Sequence, residues 1–83
     1  MIAESQPYYN FVMQGTIYKN GHMMHRLDGP AVIPDNGKPK WWFNNHPASK
    51  EVERFAKEMF IDLENLTEED KTLIAIKFAN FPN

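Results

Sequence analysis

Apolar residues follow two different periods along this chain, and the change between them falls near residue 48. Before it, short apolar runs are separated by turn residues, as strands are. Gln14–Lys19 reads as a strand closed by Asn20-Gly21, a dipeptide that favours a type I′ turn because both central residues need positive φ. His22–Leu27 leads through Asp28-Gly29-Pro30 into Ala31-Val32-Ile33. Pro34 and Pro39 bracket the next turn, since proline donates no ladder hydrogen bond and belongs at strand ends or edges. Lys40–Phe43 is the strongest strand signal, two tryptophans and a phenylalanine in a row. Tyr8–Met13 is apolar and reads either as a strand or as a segment packed across the sheet edge. Met1–Pro7 reads as a loose arm.

After residue 48 the period is helical. Ser49 is an N-cap candidate. Val52, Phe55, Ala56, Met59 and Phe60 recur at the spacing of one helix face, with Lys50, Glu51, Glu53, Arg54, Lys57 and Glu58 opposite. Ile61–Leu66 is a connector. Thr67 caps a second helix whose first turn carries Glu68, Glu69 and Asp70, where the helix dipole favours anions. Leu73, Ile74, Ile76, Phe78 and Phe81 supply its apolar side, and Pro82 ends it. The expected fold is α+β: a small antiparallel β-meander of three to four strands over residues 8–47. Two C-terminal helices over 48–83 cover one face of it, in a single domain spanning 1–83.

Tyr18-Lys19-Asn20-Gly21-His22 aligns with Trp42-Phe43-Asn44-Asn45-His46 at an offset of 24 residues, a half-repeat. Successive strand residues face opposite ways, so Trp41 and Trp42 cannot both point at the helices. The offset assigns Ile17 and Trp41 to the core. It assigns Tyr18 and Trp42 to a second, partly exposed aromatic face beside Lys40.

Composition narrows the function. At 83 residues a domain buries only roughly 60–65% of its unfolded surface, which leaves little room for an enclosed active site. A hydrophobic content of 42% argues against wholesale disorder. A net charge of −2 argues against a basic nucleic-acid binder and against a strongly acidic nucleic-acid mimic. There are no cysteines, so disulfides, thiolate metal sites and cysteine nucleophiles are excluded. No apolar run reaches the roughly 18–20 residues of a membrane span, and the N-terminus lacks a basic-then-apolar pattern. The expectation is a soluble cytoplasmic protein with no membrane contact and no cofactor.

His25-Arg26-Leu27-Asp28-Gly29-Pro30-Ala31 is followed by a D-x-G turn and then by Trp41-Trp42-Phe43-Asn44-Asn45. Together they resemble a repeat unit of small proteins from tailed bacteriophages and some giant viruses, loosely similar to MORN-type hairpin repeats. Asp62–Lys71 also looks like the C-terminal extension of such phage proteins. The resemblance covers about residues 15–76. The chain departs from the pattern in having one complete unit and Asn45 where glycine is usual. The resemblance implies a phage-encoded protein acting in the host cytoplasm.

The chemically suggestive residues have structural readings beside them. His22, His25 and His46 could gather as metal ligands, but His22 and His46 each follow a turn, which favours hairpin chemistry over a metal site. Arg26 and Asp28 could act as a catalytic pair. The preferred reading has Asp28 accepting backbone amides in the Asp-Gly-Pro turn while Arg26 braces it. No nucleophile triad or phosphate-cradling loop stands out, so the expectation is a non-enzyme. The candidate contact residues are Tyr18, Lys40, Trp42, His22 and Arg26, since aromatic side chains flanked by cations are common interface anchors. Against this stands closure of the face by Tyr8, Tyr9 and Phe11, or its use as a homodimer seam. Three function classes follow. One is a phage protein that antagonises or redirects a host protein, for example a defence factor. The second is an oligomerising structural module. The third is a nucleotide-binding sponge that uses Trp42, Tyr18, His22 and Arg26.

Overall fold

The computed structural model describes residues 5–82. Six short strands precede two helices: β1 (Gln6–Asn10), β2 (Gly15–Asn20), β3 (Met23–Met24), β4 (Val32–Pro34), β5 (Trp42–Phe43), β6 (His46–Pro47), α1 (Ser49–Met59) and α2 (Glu68–Phe78). All strand pairs are antiparallel, and the α+β class expected from the two periods is the one that forms. Of the expected arm, Met1–Glu4 lie outside the described residues, whereas Gln6 and Pro7 open β1.

β2 is the hub of a four-stranded sheet. β1 pairs along its whole length on one side. On the other side β4 pairs with Gly15–Ile17 and β3 with Lys19–Asn20. β5 and β6 form a separate hairpin. The two sheets are joined through Lys40, whose carbonyl accepts the N–H groups of both Ala31 and Val32 at 3.0 Å. Two residues against one is the pattern of a β-bulge. It helps two consecutive side chains, Ala31 and Val32, to be buried together.

One of the two hairpin turns departs from the sequence expectation, by one residue. Asn20 pairs with Met23, so the central residues of the first turn are Gly21 and His22, and only Gly21 has positive φ (65°). In the second turn Phe43 pairs with His46, leaving Asn44 and Asn45 at the centre with φ of 51° and 68°. The type I′ pattern of two positive φ values therefore belongs to Asn44-Asn45, where asparagine tolerates the left-handed region. Asn20-Gly21 does not carry it. Measured turn to turn, the repeat offset is 23 residues rather than 24.

The main core lies between the β5 strand and the helices. Trp41, Phe43, Ala48, Val52, Ala56, Ile61, Ile74 and Phe78 form one buried cluster, flanked by half-buried Leu27, Phe55, Leu63, Leu66, Leu73 and Phe81. Phe43 sits at its centre, stacked on Phe78 at 5.0 Å with an 11° interplanar angle. Trp41 is in the core as expected. Ile17 is not: it is half-buried and stands outside this cluster.

α2 stops at Phe78, short of Phe81 and Pro82, to which the apolar spacing extends it, and the two helices start differently. Ala48, not Ser49, is the N-cap of α1. Ser49 Oγ instead accepts the Trp41 N–H at 3.0 Å, tying the helix start to the strand before it. α2 begins with a capping box in which Thr67 and Asp70 satisfy each other's backbone N–H groups at 3.0 and 3.1 Å. The apolar stripes are narrower than their periodicity suggests. Met59 and Ile76 are exposed, and Phe60 is 95% exposed with φ of 56° at the end of α1. That left-handed position usually takes glycine, because a side chain there is strained.

Candidate functional site

The His25–Ala31 motif is a structural clasp. His25 is buried, and its Nδ1 accepts the Asn44 N–H at 2.9 Å, which holds the left-handed Asn44-Asn45 turn. The Asn45 N–H donates to the Met24 carbonyl, and Asn45 Oδ1 in turn accepts the Met24 N–H at 3.3 Å. Arg26 Nε donates to Asp28 Oδ1 at 2.8 Å and Nη1 to the Pro30 carbonyl at 3.2 Å. Its guanidinium lies 3.9 Å from the Tyr18 ring centroid, a cation–π contact. Gly29 lies beneath the same group, where an added Cβ would come within 2.8 Å of Arg26 Cζ. Asp28 therefore accepts from the Arg26 side chain, whereas the sequence reading has it accept the turn's own amides. The residues with the most catalytic appearance are engaged in holding the loop.

Burial pushes the His25 pKa below its ordinary value. The Asn44 hydrogen bond requires an unprotonated Nδ1, so the fold holds the neutral ring. An unfolded histidine takes up a proton below about pH 6.5. The native state then binds fewer protons than the unfolded state, and stability falls as pH drops. His25's contribution is expected to be complete above about pH 6.5. It should decline below that pH until the folded-state pKa is passed. Urea midpoints between pH 8 and 5 should show this decline, and His25→Gln should flatten it. An unchanged profile in that variant would mean the acid sensitivity arises elsewhere. Asp62 accepts hydrogen bonds from Asn65 Nδ2 and the Glu64 N–H, which lower its pKa from 3.8. Its window lies at lower pH than that of His25.

The five candidate contact residues do not form one patch. Directly paired strand residues share a face. Ile17 pairs with Val32, and Val32 bridges to Lys40, so Ile17 and Lys40 are on one side of the sheet. Tyr18, the next residue along β2, points to the other side, where Arg26 covers it. The one-residue error in the repeat offset is the cause, because a slip of one position exchanges the two faces. His22 is exposed at the tip of the β2–β3 turn. A nucleotide-stacking site built from Trp42, Tyr18, His22 and Arg26 would need these side chains to converge, and they do not. Among the described residues no group of three or more His, Asp or Glu side chains is placed to hold a metal ion.

Two open apolar features involve the residues singled out in the sequence. Lys40 and half-buried Trp42 line a pocket of about 480 Å³ with Pro47, Ser49, Lys50 and Glu51. The second is the β1–β2 hairpin. Tyr8, Tyr9 and Phe11 do not fold over an aromatic face; β1 extends the sheet instead. They are 55%, 47% and 83% exposed, and Val12 at the hairpin tip is 98% exposed. The tip is well defined. Asn10 accepts both the Gln14 N–H through its carbonyl (2.8 Å) and the Met13 N–H through Oδ1 (3.0 Å), and Gln14 takes φ of 59°. The Tyr9 hydroxyl donates to Asp35, which raises the tyrosine pKa. The Tyr9 ring meets Phe11 edge-on at 4.8 Å. The only sequence signal for this surface was the apolar Phe-Val-Met run between Asn10 and Gly15, which periodicity cannot distinguish from core.

No protein-family model, curated protein or solved structure matches this chain. Among the described residues no helix is long and apolar enough to cross a membrane.

Proposed function

We propose that this chain is a non-enzymatic binding protein that docks a host protein through the Trp42 pocket and antagonises or redirects it. The observation that carries this reading is the partly exposed Trp42 beside Lys40, on the opposite side of the strand from buried Trp41. The neighbouring Trp41 and Phe43 are locked in the core, so the Trp42 backbone is held rigidly and little ordering entropy is lost on binding. Tryptophan is one of the residue types enriched at binding hot spots. Lys40 and Lys50 against the single acid Glu51 leave the pocket lining net positive, which favours an acidic surface on the partner. The engagement of His25, Arg26 and Asp28 in the loop clasp supports a role without catalysis. The likeness of His25–Ala31 to units of tailed-phage proteins supports a host factor as the partner and the host cytoplasm as the place of action.

The test is paired. Tagged wild-type protein recovers a partner from host cells, and the partner is then purified and its affinity measured directly. Trp42→Ala is expected to weaken that affinity by about 2 kcal/mol or more, roughly 30-fold, while leaving a cooperative thermal transition. Equal affinity of the folded variant would remove Trp42 from the interface and end this reading.

A further inference from the structure

We infer that the β1–β2 hairpin is a homodimer surface, packed face to face against the same hairpin of a second copy. Tyr8, Asn10, Ile17 and Lys19 line an open groove of about 580 Å³, with Phe11 and Val12 at its end. Groove and apolar tip are thus on one element. A two-fold axis sets the tip of each copy into the groove of the other, as an isologous contact requires.

Three observations select a second copy as the occupant. The first is charge. From Gln6 to Asn20 the only charged residue is Lys19, in a chain that is 24% charged. A patch that meets itself must avoid like-charge contact, and this one nearly does; a partner held by charge complementarity would leave its counterpart here. The second is area. A buried aromatic side chain covers roughly 150–250 Å². Tyr9 pairs with Thr16 and faces the other side of the sheet, so the exposed fractions of Tyr8, Phe11, Val12 and Met13 leave at most roughly 500 Å² per protomer. Doubled across a two-fold axis this is roughly 1,000 Å², the size at which specific interfaces begin.

The third observation concerns the edge of β1. The Tyr18 N–H and carbonyl bond toward Ala31 and His25, so in the alternating ladder the backbone groups of its partner Pro7 face away from β2. Proline has no N–H to offer there. Among the described residues β1 is an edge strand, and Pro7 interrupts that edge against strand addition. Side-chain packing across the face remains, and that closes at two.

Sedimentation equilibrium on the full chain tests the proposal. Wild type is expected to dimerise with a micromolar dissociation constant, and Val12→Glu to weaken this at least tenfold with an unchanged melting temperature. Phe11→Glu serves as a second variant, and Trp42→Ala should still dimerise. In a mixed-label sample, nuclear Overhauser contacts between Val12 of one copy and Ile17 of the other should appear. The proposal fails if wild type stays monomeric at millimolar concentration. It also fails if both charged variants dimerise normally, or if Trp42→Ala dissolves the dimer. A monomer that co-floats with phosphatidylcholine vesicles through Val12 would assign the hairpin to a lipid surface instead.

Discussion

Phe43→Ala is expected to remove most of the protein's stability. Phe43 is completely buried and meets the rings of Phe78 (5.0 Å), Trp41 (6.0 Å), Phe81 (6.0 Å) and His25 (6.3 Å). Removing such a side chain costs about 3–5 kcal/mol, since the transfer energy is lost and a cavity remains. Domains of this size have total stabilities near the low end of about 5–15 kcal/mol. The loss therefore approaches the whole. Trp41→Ala falls in the same class, whereas half-buried Trp42 should cost nearer the average of about 1 kcal/mol for a substitution. Urea denaturation of the three variants checks the ranking. A larger loss for Trp42 than for Phe43 would mean that the assignment of the two strand faces is reversed.

Gly15→Ala is the second expected large effect, and it involves no lost contact. A Cβ at Gly15 would lie 2.7 Å from the Ile33 carbonyl oxygen and 2.8 Å from Pro34 Cα. Both are backbone atoms of β4, held by the pairing of Gly15 with Pro34 and Thr16 with Ile33. They cannot rotate away as a side-chain end does. The strand pair must separate, at about 1–3 kcal/mol, the usual cost of forcing extra volume into a packed site. Gly21→Ala meets no neighbouring atom and is strained only through its positive φ. Comparing the two by thermal melts separates close approach from conformation. A neutral Gly15→Ala would show that β2 and β4 can move apart freely.

The helical half was the more legible part. Val52 and Ala56 in α1, and Ile74 and Phe78 in α2, are buried where the 3.6-residue period places them. Thr67 caps α2 as its sequence context suggests, because capping depends on residues a few positions apart. The candidate site was less legible. A 24-residue offset places Trp41 in the core and Trp42 in the open, as the structure does, yet it places Tyr18 beside Lys40 when the sheet separates them. Local alignment matched the letters of the two turns, but backbone pairing places their centres one residue differently.

The sequence by itself determined the elements whose causes are local: two helices, the second capped by Thr67, a hairpin turn at Asn44-Asn45, and alternation of faces along Lys40–Phe43. Only the tertiary structure decided which faces are covered. Phe60, Ile76, Phe11 and Val12 are as apolar as their buried neighbours, and they are exposed because no described element packs over them. Hydrophobicity specifies a tendency toward burial and carries no address. The partner of each apolar face depends on strand register, on the bulge at Ala31-Val32 and on where α1 stops. One residue of shift in any of these moves a side chain to the opposite side.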